Sequence, residues 1–142
     1  MKTYLKFAES MARAAGKIMK KYYHSDNGSD YKGDNTIVTK ADMEINDMLI
    51  ARVKKSFPEH SVDGEEKKFG KSEYVWTCDP VDGTAMYARN LPVSVFSLAL
   101  VVNGVTATLT ALLSQTAFAT NNSFVLLRNT QKICKRGLGL FF

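Results

Sequence analysis

The segment Asp79-Pro80-Val81-Asp82-Gly83-Thr84 follows directly on a short apolar run, Tyr74-Val75-Trp76-Thr77-Cys78. The run reads as a buried strand ending at Asp79. Pro80 fixes its own φ, so the sequence predicts a turn at the strand exit. Such a turn can aim the carboxylates of Asp79 and Asp82, and the Val81 carbonyl, into one small volume. Gly83 and Thr84 then open a helix whose first N–H groups lack intrahelical partners. Oxygen ligands of this kind suit a hard divalent cation, and free N–H groups suit a phosphate.

Two further acidic stretches lie upstream. Asp63-Gly64-Glu65-Glu66 precedes the apolar run, and Asp42 follows Val38-Thr39-Lys40-Ala41. Each has a plainer reading. Thr39-x-x-Asp42 fits a helix-capping pattern, and capping can coexist with a role in chemistry. Asp63-Gly64 and Asp82-Gly83 are ordinary turn pairs, and Glu65 and Glu66 taken alone read as a solvated loop. Their joint occurrence favours a site, and the three stretches together point to metal-dependent phosphatase chemistry.

Composition narrows the alternatives. The chain has 142 residues, which suits one domain with a real core. No apolar run reaches the ~18 residues of a membrane-spanning helix. The first residues, Met1 to Lys6, lack the apolar core of a secretory signal. Cys78 and Cys134 are the only cysteines and form no C-x-x-C pair, so free thiols in a reducing cytoplasm are expected. Cys78 reads as a small buried hydrophobe and Trp76 as a core residue. The net charge of +5 raises the question of nucleic acid. Residues 1–82 balance 14 Lys and Arg against 14 Asp and Glu, and residues 83–142 hold the other 5 basic residues and no acid. A phosphate-tracking groove needs clustered bases, so this sparse excess argues against nucleic acid as the main partner.

The pattern of elements is helix, helix, strand, strand, hairpin. Residues 3–23 form an amphipathic helix with Leu5, Ala8, Ala12, Ala15, Met19 and Tyr22 on its apolar stripe. Its basic face reads as solvated surface. Residues 25–35 are loop material, and a second helix runs over about 40–56, with Pro58 just beyond. A short strand is expected over 60–64, then a charged connection from Lys67 to Glu73. Residues 93–102 form a long strand, and Asn103-Gly104 is a hairpin turn because both positions must reach positive φ. The return strand alternates over 105–111, and Phe118 and residues 124–127 offer further short strands. The ending, Lys135 to Phe142, shows no clear period.

In this order the chain resembles the inositol monophosphatase family, within the superfamily of fructose-1,6-bisphosphatases and 3′-phosphoadenosine-type nucleotidases. The matching residues are Val38-Thr39-Lys40-Ala41-Asp42, Gly64-Glu65-Glu66 and Trp76-x-x-Asp79-Pro80-Val81-Asp82-Gly83-Thr84. The likeness covers about residues 3–113, and residues 114–142 diverge. It implies an α+β fold, a layered sandwich in which two N-terminal helices pack on a largely antiparallel sheet. It implies hydrolysis of a small phosphate monoester, an inositol or other sugar phosphate, with two or more Mg²⁺ ions and with Li⁺ or Ca²⁺ as inhibitors. The resemblance gives Glu65, Asp79 and the Val81 carbonyl to one metal, and Asp79 and Asp82 to a second. It gives Gly83 and Thr84 to the phosphate. Asp42 and Thr84 resemble the family's activating pair, in which the threonine orients the attacking water. Glu66 is a further candidate, and Lys32 is expected to be a mobile basic residue near the entrance. A homodimer is implied for the assembly.

Two departures stand out. The family follows D-G-T with a residue and then Asn-Phe, whereas here Ala85-Met86-Tyr87 follows. The family also carries a later metal-binding aspartate in a W-D-x-x-x-G type motif, and this chain has no Asp or Glu after Asp82. The sequence therefore reads as a truncated, metal-binding first half of such a phosphatase. A catalytically impaired fragment or a non-catalytic interaction module is the alternative reading, and a 3′-nucleotidase or fructose bisphosphatase is the near alternative for substrate.

Overall fold

The computed structural model describes residues 2–23, 27–33, 35–107, 109–114 and 124–128. Helix α1 runs over Lys2–Tyr22 and α2 over Lys40–Ser56. Two short strands, β1 (Asp30–Tyr31) and β2 (Ile37–Val38), pair antiparallel between them. Then come β3 (Ser61–Gly64), β4 (Lys68–Phe69), β5 (Tyr74–Asp82), the short helix α3 (Thr84–Ala88), β6 (Val95–Val102), β7 (Val105–Ala107), β8 (Leu109–Ser114) and β9 (Phe124–Arg128). The larger sheet is ordered β4-β3-β5-β6-β8-β9, with β7 also on β6. β3 and β5 are parallel, and the other described pairings are antiparallel. The α+β class, with two helices on a largely antiparallel sheet, is as the sequence predicts.

The helices cover one face of this sheet. Ala8, Met11, Ala12, Ala15 and Met19 of α1, and Ile45, Leu49 and Val53 of α2, are fully buried. They meet Val62 of β3, Trp76 and Cys78 of β5, and Phe96, Leu98 and Leu100 of β6 in one cluster. The alternation along β5 and β6 places these residues on one side and Val75, Thr77, Ala99 and Val101 on the other. At the start of β3, His60 stacks on Phe57 and Tyr74, and its Nδ1 accepts the indole N–H of Trp76 at 3.1 Å. Trp76 is thus a core residue, as expected.

Several boundaries differ from the expectation. The Ser-, Asn- and Gly-rich stretch 25–35 contains β1, whose two-residue length is too short for periodicity to reveal. The connection from Lys67 to Glu73 contains β4, paired with β3 through Val62↔Phe69 and Asp63↔Lys68. The Asn103-Gly104 hairpin is present, with φ of 52° and 73° at its two turn residues. The return strand expected as one piece is assigned as β7 and β8. Strand β9 falls where 124–127 suggested one. His24, Phe118, Cys134 and the stretch from Lys135 to Phe142 lie outside the described residues.

Helix α3 is tied to the end of α1. The buried Tyr87 hydroxyl donates to the Met19 carbonyl at 2.7 Å, Tyr23 Oη donates to the Asn90 carbonyl at 2.7 Å, and Asn27 Nδ2 donates to the Ala88 carbonyl at 3.0 Å. Tyr at 87, a mild change in sequence terms, makes a bond that Phe cannot. Tyr87→Phe should cost about 1 kcal/mol in chemical denaturation, because the Met19 carbonyl still accepts the Tyr23 N–H.

Candidate active site

The site grows from the carboxyl ends of the parallel pair β3 and β5. Asp79 of β5 stands opposite Ser97 of β6, and Asp82 stands opposite Val95, so three steps on β5 match two on β6. A β-bulge at Pro80-Val81 takes up the extra residue. Side chains alternate along a regular strand, so residues three apart would face opposite sides. The bulge restores the parity, and Asp79 and Asp82 share the face away from α1 and α2. The expected turn is therefore a bulged continuation of β5 through Asp82. Pro80 fits there because a bulge does not need its missing N–H.

Glu65 joins them through β3. The parallel register runs Ser61↔Val75 to Gly64↔Cys78, and the Glu65 N–H donates to the Cys78 carbonyl at 3.1 Å. Glu65 therefore leaves β3 beside Asp79, near enough for its charge to raise the Asp79 carboxyl. The loop behind it is held by Asn46, which is fully buried in α2. Asn46 Oδ1 accepts the N–H groups of Glu66 and Lys67 at 3.2 Å, and its Nδ2 donates to the Lys67 carbonyl at 3.1 Å. Sequence reasoning missed Asn46, since a polar residue inside a helix gives no sign of being buried.

Burial first, then the charges of Glu65 and Asp82, push the Asp79 carboxyl up to about 7. Its Oδ1 is buried without a hydrogen-bond partner. Asp42 is fully buried at the start of α2. Its Oδ2 accepts the Thr39 N–H at 2.8 Å and the Thr39 hydroxyl, so the capping role is realised. Burial still pushes Asp42 up to about 6, against those two bonds. Thr84 Oγ lies 3.4 Å from Asp42 Oδ1 and 2.7 Å from the Val81 carbonyl. A hydroxyl has one proton, and the shorter contact to Val81 holds it here. Gly83 takes φ +86°, a left-handed conformation that suits glycine, at the start of α3. Ser94 packs beside Gly83 with its hydroxyl buried and without a partner, a feature with no sequence signal. Met86, where the family carries Asn, is exposed.

Lys32 also reaches the site. Its ammonium lies 2.6 Å from Glu66 Oε1 and 3.2 Å from Glu65 Oε1. Burial lowers its pKa, but the hydrogen bonds to Glu66 and Glu65 outweigh that and hold it above the ordinary lysine value. Cys78 is buried and its thiol is pushed up by burial, so it is a packing residue. Among the described residues no three His, Cys, Asp or Glu side chains stand gathered as a finished metal cage. The donors nonetheless fit a hard divalent cation. They are all oxygens, the charges of Glu65 and Asp82 raise the proton affinity of Asp79, and one buried carboxylate oxygen has nothing to bond.

Comparison with known proteins decides the family. The model of the inositol monophosphatase family matches residues 1–122. The chain belongs to the inositol monophosphatase family. It is 34% identical over 101 residues to a fructose-1,6-bisphosphatase/inositol-1-monophosphatase of Thermotoga maritima, covering 70% of this chain and 40% of that protein. It is 32% identical over 105 residues to the Nus factor SuhB of Salmonella typhimurium, covering 70% of this chain and 39% of the other. Among solved structures, an inositol monophosphatase from Anabaena aligns with a TM-score of 0.65 at 30% identity, over 81% of this chain and 41% of that one. The chain thus spans about two fifths of the length of the curated relatives that it matches. No helix among the described residues is long and apolar enough to cross a membrane.

Proposed function

We propose that this chain carries the metal- and phosphate-binding part of a Mg²⁺-dependent phosphomonoesterase acting on a small phosphorylated metabolite. The bulge at Pro80-Val81 carries the reading, because it sets Asp79 and Asp82 on one face beside Glu65. Glu65, Asp79, Asp82 and the Val81 carbonyl are the groups that would hold the cation. When bound, it supplies a Lewis acid and lowers the pKa of the attacking water. Asp79, raised to about 7 without a cation, must release its proton to serve. The Thr84 hydroxyl can swing its proton from the Val81 carbonyl to ionised Asp42, which leaves its lone pairs to orient a water. The N–H groups of Gly83 and Thr84 face the phosphate in this reading. A homodimer in the cytoplasm, with inositol or another sugar phosphate as substrate, completes the proposal, and residues 1–142 act as one domain.

The test is phosphate release from a panel of phosphomonoesters, with and without Mg²⁺, for the wild-type chain and Asp79→Asn. The expected result is Mg²⁺-dependent release that falls by at least about 100-fold in the variant, since loss of an outer-shell partner alone can cost that much. Equal, metal-independent background in both chains would sink the catalytic reading. It would favour a non-catalytic interaction module, to which the likeness to a Nus factor also points.

A further inference from the structure

Strands β1 and β2 form a small hairpin whose turn is closed by two backbone bonds, Lys32 N–H to the Thr36 carbonyl at 2.7 Å and Asn35 N–H to the Lys32 carbonyl at 2.9 Å. Asn35 sits at φ 66° in that turn. The hairpin lies more than thirty residues before Glu65 and Glu66, yet its first turn residue delivers an ammonium to both. Glu66 is the more enclosed acceptor, with its side chain 7% exposed, and Glu65 is the more open one at 44%. Lys32 itself is only 24% exposed. This ion pair is therefore shielded on the Glu66 side and open on the Glu65 side, where Asp79 adjoins.

We infer that Lys32 is an electrostatic latch on the carboxylate site, a resident cation that a divalent metal must displace from Glu65 before the site can load. The inference rests on the proposed metal-binding role of Glu65 and Asp79. A cation held between Glu65 and Asp79 draws Glu65 away from the ammonium and repels it. Lys32 then keeps its bond to Glu66 alone, and the hairpin is tied less firmly to the carboxylates. Metal binding and opening of the 30–38 hairpin are thus coupled, each opposing the closed pair in the same measure. The ammonium, released from Glu65 only, stands next to the carboxylates, where a phosphate drawn to the metal would meet it.

The coupling is read by calorimetric titration of the chain with Mg²⁺, using the wild type, Lys32→Gln and Lys32→Arg. Removing the competing charge should tighten Mg²⁺ binding about 5-fold in Lys32→Gln, the upper range for a partly screened ion pair. Lys32→Arg keeps the charge and should match the wild type. Amide hydrogen exchange over residues 30–38 should quicken when Mg²⁺ is added to the wild type, and should be fast and unresponsive in Lys32→Gln. Equal or weaker Mg²⁺ binding in Lys32→Gln, or slower exchange on adding metal to the wild type, overturns the latch alone. Absence of Mg²⁺ binding in all three chains overturns the latch and the proposed metal site together.

Discussion

Gly64→Ala is expected to destabilise the chain by about 4 kcal/mol, measured from the urea midpoint, and to disorder the loop that carries Glu65. A Cβ at Gly64 would run into Asn46 Oδ1 and come within 2.7 Å of the Lys67 carbonyl oxygen. Neither obstacle can give way cheaply. Asn46 is buried and committed to three hydrogen bonds with the Glu66–Lys67 backbone. The carbonyl is itself one of those partners. Overpacking costs ~1–3 kcal/mol in a tight interior, and each broken buried bond adds about 1 kcal/mol. Gly33→Ala is the matched control, because a Cβ there meets nothing within 4 Å. Its midpoint should shift by less than about 0.5 kcal/mol. Equal midpoints for the two variants would mean that Asn46 does not clamp the loop.

The metal-free chain should lose thermal stability as pH rises from 5 to 8, and Mg²⁺ should restore much more of it at pH 8 than at pH 5. Asp79 and Asp42 are raised in the folded state, to about 7 and about 6, chiefly by burial. The unfolded chain releases these protons near the ordinary carboxylate pKa of about 3.9. Between that value and about 7 the folded state binds more protons, so stability falls as pH rises. A divalent cation takes the place of the proton once Asp79 is ionised. Asp79→Asn mimics the neutral carboxyl and should flatten the pH slope while abolishing most of the Mg²⁺ shift. A metal-free midpoint that climbs from pH 5 to 8, or a Mg²⁺ shift of the same size at both, would contradict this account.

Much of the fold is legible in the residues. Helix α2 falls at 40–56, as expected, since Thr39 caps its start and Pro58 follows closely on its end. The Asn103-Gly104 turn announces its hairpin because few other residue pairs reach positive φ twice. Features that depend on distant partners are hidden. The β1–β2 hairpin looks like loop because its strands have two residues each, and Lys32, expected as a mobile base near the entrance, shows its partner Glu66 only in the fold, 2.6 Å away. For the candidate site, the acidic residues are visible as motifs, yet their arrangement is not. The sequence suggests a proline turn between Asp79 and Asp82, whereas the backbone stays in β5 and bulges. Asn46, Ser94 and the tie from Tyr87 to α1 matter through burial, which a single sequence does not display.

The bulge also governs which insertions and deletions this chain can tolerate. Strand geometry assigns each residue to a side by counting, and the bulge lets Asp82 count as two residues after Asp79 rather than three. Deleting Val81 would leave β5 free to pair regularly with β6, with Asp82 two positions after Asp79 and still on its face. What would be lost is the Val81 carbonyl, which accepts the Thr84 hydroxyl and joins the carboxylates in the proposed cation site. Amino-acid identity at Pro80 and Val81 can drift under selection for packing. The extra residue thus adds a backbone oxygen to the site without turning either aspartate from its face.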